Sequence, residues 1–240
     1  MDQQRFSGKL ALVSGGTGGL GRAVSLAFLA EGASVAVPYF DELEFADLKA
    51  AAAENVARLE GQSVDVTDET ATHALVDGLL AKHGRLDVLV NTVGGYAGGL
   101  KLWEMDAKVF ARMLQLNLRS GFALSRAVVP AMLKQGHGAI VNVAAKAAVD
   151  HAAGASAYAA SKAAAVAMMD SLAADLKGTG VRVNSILPSI IDTKANRAAM
   201  PDADFSKWPK PEEIARVILF LCSDDATVVH GAALPVYGNS

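Results

Sequence analysis

The chain has 240 residues, 52% of them hydrophobic, and a formal net charge of −3 with acidic and basic residues intermixed. This balance argues against nucleic-acid and membrane-surface partners, and the length fits one domain with one large core. No run approaches the roughly 18 apolar residues of a membrane span, and the N-terminal Met-Asp-Gln-Gln-Arg-Phe has no signal-peptide core, so we expect a cytoplasmic protein. The single cysteine excludes a disulfide within the chain, and the five histidines show no metal-ligand spacing, so we expect no metal.

The N-terminal region predicts a strand, a glycine-rich turn and a helix. An apolar run over residues 9–14 leads into Gly15-Gly-Thr-Gly-Gly-Leu-Gly21, and apolar residues recur at helical spacing from 22 to 31. Gly32 then ends the helix, and a second apolar run covers residues 33–37. This order is typical of a βαβ unit with two parallel strands.

Helix and strand patterns alternate through the rest of the chain. The pattern predicts helices over residues 42–53, 68–82, 103–134, 156–177 and 212–222, and strands over 56–60, 86–91, 139–144, 181–187 and 232–237. We therefore predict an α/β fold over residues 1–240, a single Rossmann domain with a doubly wound parallel sheet of about seven strands and helices on both faces. Residues 188–211 lack a clear period, which predicts a substrate loop or lid.

Tyr158 and Lys162 lie one helical turn apart in an alanine-rich run, so they share a helix face. A neighbouring ammonium favours the phenolate and lowers the pKa of a tyrosine from about 10, which makes Tyr158 a candidate acid/base. The spacing alone also fits two unrelated residues on a solvated helix. The remaining motifs must decide between these interpretations.

Three strand ends carry residues suited to a dinucleotide. Glycines between a strand and a helix let a pyrophosphate approach the backbone N–H groups of the helix N-terminus. Asp65 and Val66 follow the third strand and offer an acceptor and an apolar wall to an adenine, although a helix N-cap at Thr67 or Asp68 explains part of the same sequence. Residues 91–94, Asn-Thr-Val-Gly, end the fourth strand, at the carboxyl edge where such sheets bind ligands.

These motifs, in this order, resemble the short-chain dehydrogenase/reductase family from about residue 9 to residue 238. The resemblance implies that Tyr158 protonates the reduced substrate atom, that Lys162 lowers its pKa and binds the nicotinamide ribose, and that Asn117 holds a relay water. It also implies that residues 188–193 hold the nicotinamide carboxamide. The implied cofactor contacts are Ser14, Gly15, Thr17, Gly19, Leu20, Gly21, Tyr39, Asp65, Val66, Asn91, Val93, Gly94, Tyr158, Lys162, Pro188, Ile191 and Thr193.

One catalytic position departs from the family pattern. The family has a serine about thirteen residues before the tyrosine, whereas this chain has Ala145 there, so the hydroxyl that would bind a substrate carbonyl is absent. Hydroxyl groups that could replace it belong to Ser156, Ser189 and Tyr96.

The same departure bears on the substrate. Residues 94–99, 145–150 and 192–208 resemble dihydropteridine reductase, which also lacks the serine. The resemblance implies an NAD(P)H-dependent oxidoreductase that transfers hydride to a small organic acceptor, with a quinonoid dihydropteridine as one candidate. The alternatives are a carbonyl reductase of the 3-oxoacyl type and a catalytically silent relative that only binds a dinucleotide.

The cofactor is expected to be NAD(H) or NADP(H), with a modest preference for NADH. NAD enzymes place a carboxylate after the second strand, where it binds the ribose 2′-OH, and NADP enzymes place Arg or Lys there or in the glycine-rich loop. Here Asp41 follows the strand, Gly18 occupies the loop position, and after the strand the first basic residue is Lys49.

The two long central helices predict self-association, because they carry apolar residues on more than one face. These residues are Phe110, Leu114, Phe122, Val166, Met168, Met169 and Leu172. The resemblance implies a four-helix interface, so we expect a homodimer or homotetramer.

Overall fold

The computed structural model describes residues 4–239 and places seven parallel strands in one sheet. The strands are β1 (Leu10–Ser14), β2 (Ser34–Tyr39), β3 (Leu59–Ser63), β4 (Val88–Asn91), β5 (Gly138–Val143), β6 (Val181–Pro188) and β7 (Ala233–Val236). Their order across the sheet is β3-β2-β1-β4-β5-β6-β7. The chain thus winds outward from β1 in one direction and from β4 in the other, which confirms the predicted doubly wound fold. Sheets of this kind bind ligands at the carboxyl edge between the two central strands.

Helices cover both faces of this sheet. They are α1 (Gly19–Ala30), α2 (Glu42–Ala52), α3 (Glu69–His83), α4 (Ala107–Leu114), α5 (Ser120–Gln135), α6 (Ser156–Asp175), α7 (Lys194–Ala199) and α8 (Pro211–Cys222). One apolar core joins the sheet to α1 and α8 through Phe28 and Ile218, and a second large one joins it to α5 and α6 through Leu124 and Met169. No helix in the described range is long and apolar enough to cross a membrane.

The third strand lies later than the predicted residues 56–60. Residues 53–58 form a 3₁₀ helix, and the chain becomes extended only at Leu59. The guanidinium of Arg58 explains this difference, since its Nη2 donates to the carbonyl of Leu29 at 2.7 Å and its Nε to that of Ala33 at 3.3 Å. These bonds hold the turn against the end of α1.

The helix predicted over residues 103–134 is divided. A separate 3₁₀ turn covers Leu102–Glu104, and α4 begins only after Asp106, whose carboxylate accepts from the N–H of Lys108 at 2.7 Å. A π-helical turn, Gln115–Arg119, then separates α4 from α5. Such turns insert an extra residue into a helix and occur often at functional sites.

The segment 188–211, predicted to lack regular structure, contains α7 and a 3₁₀ turn, Phe205–Lys207. The hydroxyl of Thr193 caps α7 by accepting from the N–H of Asn196 at 3.2 Å. The rings of Phe205 and Trp208 pack with centroids 4.9 Å apart. Elements this short do not produce a detectable hydrophobic period.

Candidate active site

The glycine-rich loop between β1 and α1 forms a cradle lined by backbone. Gly15 has a φ of +69°, and a Cβ on Gly21 would lie 2.0 Å from the Gly15 carbonyl oxygen, so both positions require glycine. Helix α1 begins at Gly19, and Gly18 before it has no side chain to cap the first turn. The N–H groups of that turn therefore face an open position suited to an anion. An anionic group such as the pyrophosphate of a dinucleotide suits this position, and Leu20 is buried behind the loop.

A cleft of about 1040 Å³ extends from this loop along the ends of β2, β3 and β4. The expected cofactor contacts that line it are Gly15, Thr17, Tyr39, Asp65, Val66, Val93 and Gly94. The ring of Tyr39 stacks on Phe45 with centroids 4.6 Å apart, which fixes one wall. Asp65 Oδ1 accepts from both the N–H and the hydroxyl of Thr67 at 2.8 Å, so this carboxylate shapes its own loop. The cleft is large enough for the adenosine half of a dinucleotide.

Two of the expected cofactor residues use their side chains inside the protein. Ser14 and Asn91 are buried neighbours in β1 and β4, and the Ser14 hydroxyl donates to Asn91 Oδ1 at 2.8 Å. Asn91 Nδ2 in turn donates to Asn142 Oδ1 on β5 at 3.0 Å. These bonds tie the three central strands together below the cleft, so the side chains of Ser14 and Asn91 serve the sheet and do not line the cleft.

A carboxylate that sequence reasoning missed lines the same cleft. Glu44 accepts a hydrogen bond from the Thr17 hydroxyl at 2.8 Å, so α2 and the glycine-rich loop meet there. Asp41, the residue predicted to favour NADH, accepts from the N–H groups of Leu43 and Glu44 and caps α2. Glu44 lies 27 positions from Thr17 in the chain, and no local pattern relates the two.

Lys162 lies under the floor of the site. Its side chain is buried, and Nζ donates to the Val143 carbonyl at the end of β5 at 2.9 Å. Burial lowers the pKa of Lys162 to about 8. A Cβ on Gly94 would lie 3.1 Å from this Nζ and 2.8 Å from Asn117 Oδ1. The bare backbone at Gly94 thus lets the lysine and the asparagine converge at the end of β4.

Asn117 is buried in the π-helical turn and joins three parts of the site. Its Oδ1 accepts from the Gly95 N–H at 2.9 Å, and its Nδ2 donates to the Gly95 carbonyl at 3.0 Å. The same Nδ2 donates to the Ser161 hydroxyl at 2.9 Å, and that hydroxyl donates to the Tyr158 carbonyl at 2.7 Å. The π turn, the loop after β4 and helix α6 therefore hold one another in place.

Tyr158 stands on α6 one turn before Lys162, and its ring is partly exposed. Burial, with a smaller contribution from Tyr96, raises the pKa of Tyr158 to about 12. From the sequence we predict a lowered pKa for Tyr158, on the premise that the positive charge of Lys162 dominates. The structure gives a raised pKa, so this prediction is wrong. The protein environment instead favours the neutral phenol, because burial destabilises the phenolate by more than the nearby positive charge stabilises it.

The position where the sequence predicts no hydroxyl, Ala145, lies just after β5. Ala145 follows β5 in an extended conformation, is buried, and precedes a 3₁₀ turn, Lys146–Ala148. Its methyl group offers no hydrogen bond to a substrate.

The expected carboxamide-binding segment begins at the end of β6. Pro188 is buried at the last position of the strand, and Ile191 and Thr193 follow it as partly buried residues. A Cβ on Gly19 would lie 2.8 Å from Thr193 Cγ2, so this segment reaches the glycine-rich loop. The structure thus brings the segment after β6 next to the glycine-rich loop, the first and last parts of the expected cofactor site along the chain.

Comparisons with known proteins agree with this geometry. A family model described as short chain dehydrogenase matches residues 9–204. The 3-oxoacyl-[acyl-carrier-protein] reductase FabG of Thermotoga maritima is 34% identical over 98% of each chain. The 7alpha-hydroxysteroid dehydrogenase of Escherichia coli K12 is 35% identical over 99% of this chain and 96% of its own length.

A solved structure titled as 7 alpha-hydroxysteroid dehydrogenase complexed with NADH and 7-oxo glycochenodeoxycholic acid superimposes with a TM-score of 0.90. It is 31% identical and covers 100% of this chain and 96% of that chain. A structure of NAD+-bound xylitol dehydrogenase gives a TM-score of 0.90 at 27% identity, over 98% of this chain and 99% of that chain. The chain therefore belongs to the short-chain dehydrogenase/reductase family of NAD(P)-dependent oxidoreductases.

Proposed function

We propose that this protein is a reductase that transfers hydride to a small organic acceptor, with Tyr158, Lys162 and Asn117 as its catalytic residues. The observation that carries the proposal is the hydrogen-bonded unit in which Asn117 joins Gly95 to the helix of Tyr158 and Lys162. The reduced nicotinamide supplies the hydride when it is bound. One atom of the acceptor's double bond takes the hydride and the other takes a proton, while the cofactor becomes oxidised.

Tyr158 is the proton donor in this proposal. With a pKa near 12 its phenol is protonated at neutral pH, so it is suited to give a proton to an acceptor atom that becomes negative. The phenolate left behind needs a positive charge nearby, and Lys162 lies on the same helix face one turn away. Asn117 binds the backbone of Gly95 and so fixes the loop after β4 relative to Tyr158 and Lys162.

The absence of a serine hydroxyl at position 145 favours substrates that are already electron-poor, such as a quinonoid dihydropteridine. Negative charge builds on a ketone oxygen during hydride transfer, and loss of one preorganised donor to such an oxygen costs roughly 10²- to 10³-fold in rate in other enzymes. An electron-poor acceptor whose reduction restores aromatic character depends less on that donor. Ala145 at the serine position is the observation behind this choice.

A carbonyl reductase of the 3-oxoacyl type is the second candidate. It is supported by the 34% identity to the 3-oxoacyl-[acyl-carrier-protein] reductase of Thermotoga maritima over nearly the whole of both chains. The two candidates differ in whether simple ketones are good substrates. A protein that binds the dinucleotide without catalysis is the remaining alternative.

Stopped-flow oxidation of bound NADH or NADPH by quinonoid pterins, quinones, ketones and 3-oxoacyl thioesters tests these candidates. We expect turnover with the first two classes, and a loss of at least about 10²-fold in Tyr158→Phe, which removes the proton donor but keeps the ring. Micromolar cofactor binding without turnover of any acceptor would instead support the silent relative. Fast turnover of ketones and thioesters alone would support the carbonyl reductase.

The charge around the cleft supports a modest NADH preference. The carboxylates of Asp41 and Glu44 line the wall near Tyr39 and the glycine-rich loop, where they repel the 2′-phosphate of NADPH. The cations that line the cleft, Lys108 and Arg112, stand on α4 instead. A dissociation constant at least tenfold smaller for NADPH than for NADH would overturn this preference.

Two further features fit the same proposal. The contact of Thr193 with Gly19 supports a role for residues 188–211 as a lid over the bound cofactor. Exposed Phe110 and Phe122 on α4 and α5 support assembly into a homodimer or homotetramer, whereas Met169, also predicted for that surface, belongs to the core.

A further inference from the structure

The hydroxyl groups near Tyr158 differ in what they already bind. Ser161 Oγ donates to the Tyr158 carbonyl and accepts from Asn117, so it is part of the scaffold. Ser189 Oγ donates to the Tyr237 carbonyl at 2.7 Å. Ser156 Oγ is shielded from solvent, so a ligand in the cleft does not reach it. None of the three replaces the hydroxyl that Ala145 lacks.

Tyr96 is different in each of these respects. It lies in the loop after β4, is 69% exposed, and contacts Tyr158 edge to face, with ring centroids 5.0 Å apart. Within residues 4–239 the structure shows no hydrogen bond that occupies its hydroxyl. A substrate atom that approaches the hydroxyl of Tyr158 therefore passes a second phenol.

We propose that Tyr96 is a substrate-contacting donor that offsets part of the loss of the serine hydroxyl, a proposal that rests on the reductase function above. Its O–H donates a hydrogen bond to the acceptor atom while Tyr158 supplies the proton that is transferred. Its exposed ring also gives a flat acceptor an aromatic surface next to the catalytic phenol. The substrate class that fits is a planar, conjugated carbonyl or imine.

The neighbouring loop fixes where this hydroxyl lies. A Cβ on Gly98 would be 2.1 Å from Tyr96 Oη, so the phenol packs directly over the bare backbone of Gly98. The same loop is held to the start of α6 by the Gly99 N–H, which donates to the Gly154 carbonyl at 3.0 Å. Gly98 thus acts as a positioning residue, because any side chain there would push the Tyr96 hydroxyl away.

Three variants test the proposal with a planar quinonoid acceptor and saturating cofactor. Tyr96→Phe, which keeps the ring and removes the hydroxyl, should lower kcat at least about tenfold with little change in KM, the size expected for one hydrogen bond. Adding Ala145→Ser to that variant should restore most of the lost kcat. Gly98→Ala should lower kcat more in the wild type than in Tyr96→Phe, because its methyl group would displace the hydroxyl as well as the ring.

The outcomes separate this inference from the proposed function. An active wild type whose kcat is unchanged in Tyr96→Phe would overturn the donor role and leave the reductase assignment standing. A lower kcat that Ala145→Ser does not restore would show that Tyr96 only shapes the site, which also overturns the donor role. A wild type that reduces no acceptor would contradict the reductase proposal itself, and the donor role with it.

Discussion

Asn117 and Gly95 form a reciprocal pair: the Gly95 N–H donates to Asn117 Oδ1 at 2.9 Å, and Asn117 Nδ2 donates to the Gly95 carbonyl at 3.0 Å. The side-chain amide thereby binds the backbone of the loop after β4 as a neighbouring strand would. This pair anchors the loop that carries Tyr96 to the π turn below it.

Replacing Asn117 by alanine should therefore lower both stability and activity. The variant loses the three hydrogen bonds to Gly95 and Ser161 and a longer one to the Met113 sulfur, so the free energy of unfolding should fall by about 2–4 kcal/mol. Urea unfolding measures this change. Asn196→Ala is the control, since its amide donates one bond, to Ile191, on the short helix α7. Equal losses in the two variants would contradict the anchoring role.

Lys162 should make stability depend on alkaline pH. Its pKa is lowered to about 8 by burial, whereas an unfolded lysine titrates near pH 10.4. Between these values the unfolded chain binds a proton that the folded chain has released, so this lysine makes the folded state more stable as pH rises from 8 towards 10. Below pH 8 both states are charged and its effect is constant.

The comparison that isolates this effect is wild type against Lys162→Met. We expect the difference in unfolding free energy, wild type minus variant, to rise by about 1–3 kcal/mol between pH 8 and pH 10. Tyr158 and Cys222, whose pKa values burial raises to about 12, act in the opposite direction but occur in both proteins. A pH-independent difference would show that Lys162 keeps an ordinary pKa.

Introducing a serine at the position of Ala145 should raise the rate with ketones. The new hydroxyl would stand on a buried, extended residue just after β5, where its position is fixed before a substrate binds. We expect at least about a tenfold increase in kcat/KM for a simple ketone in Ala145→Ser, and no increase for a quinonoid pterin or quinone. If the wild type already reduces ketones rapidly and the variant does not differ, the preference for electron-poor acceptors is wrong.

Neutralising Glu44 should improve NADPH binding. Glu44→Gln keeps an oxygen that accepts from the Thr17 hydroxyl but removes the negative charge beside the cleft. We expect the dissociation constant of NADPH to fall about three- to tenfold, and that of NADH to change less than twofold, by fluorescence titration. Glu42→Gln, an exposed neighbour on α2 outside the cleft lining, is the matched control. The same improvement in both variants would point to a general charge effect.

The exposed apolar surface on α4 and α5 should be covered in solution. Light scattering at micromolar concentration should give the mass of a homodimer or homotetramer, because Phe110 and Phe122 are 40% and 42% exposed in the single chain. Phe122→Glu should shift the mass towards that of the monomer. A monomeric wild type would contradict the assembly.

The sequence alone determined the alternation of strands and helices, the glycine-rich loop and the spacing of Tyr158 and Lys162. These features depend on neighbours within a few positions, since apolar period, glycine conformation and helix faces are local properties. The absence of a hydroxyl at Ala145 is likewise read directly from the chain.

Only the tertiary structure decided which groups meet. It placed Glu44 on Thr17, Tyr96 on Tyr158 and the amide of Asn117 on Gly95, pairs that lie far apart in the chain. It also reversed the expected pKa shift of Tyr158, because burial depends on what packs around the phenol and not on the lysine four residues away. Contacts and desolvation arise when separate elements pack, so no local pattern encodes them.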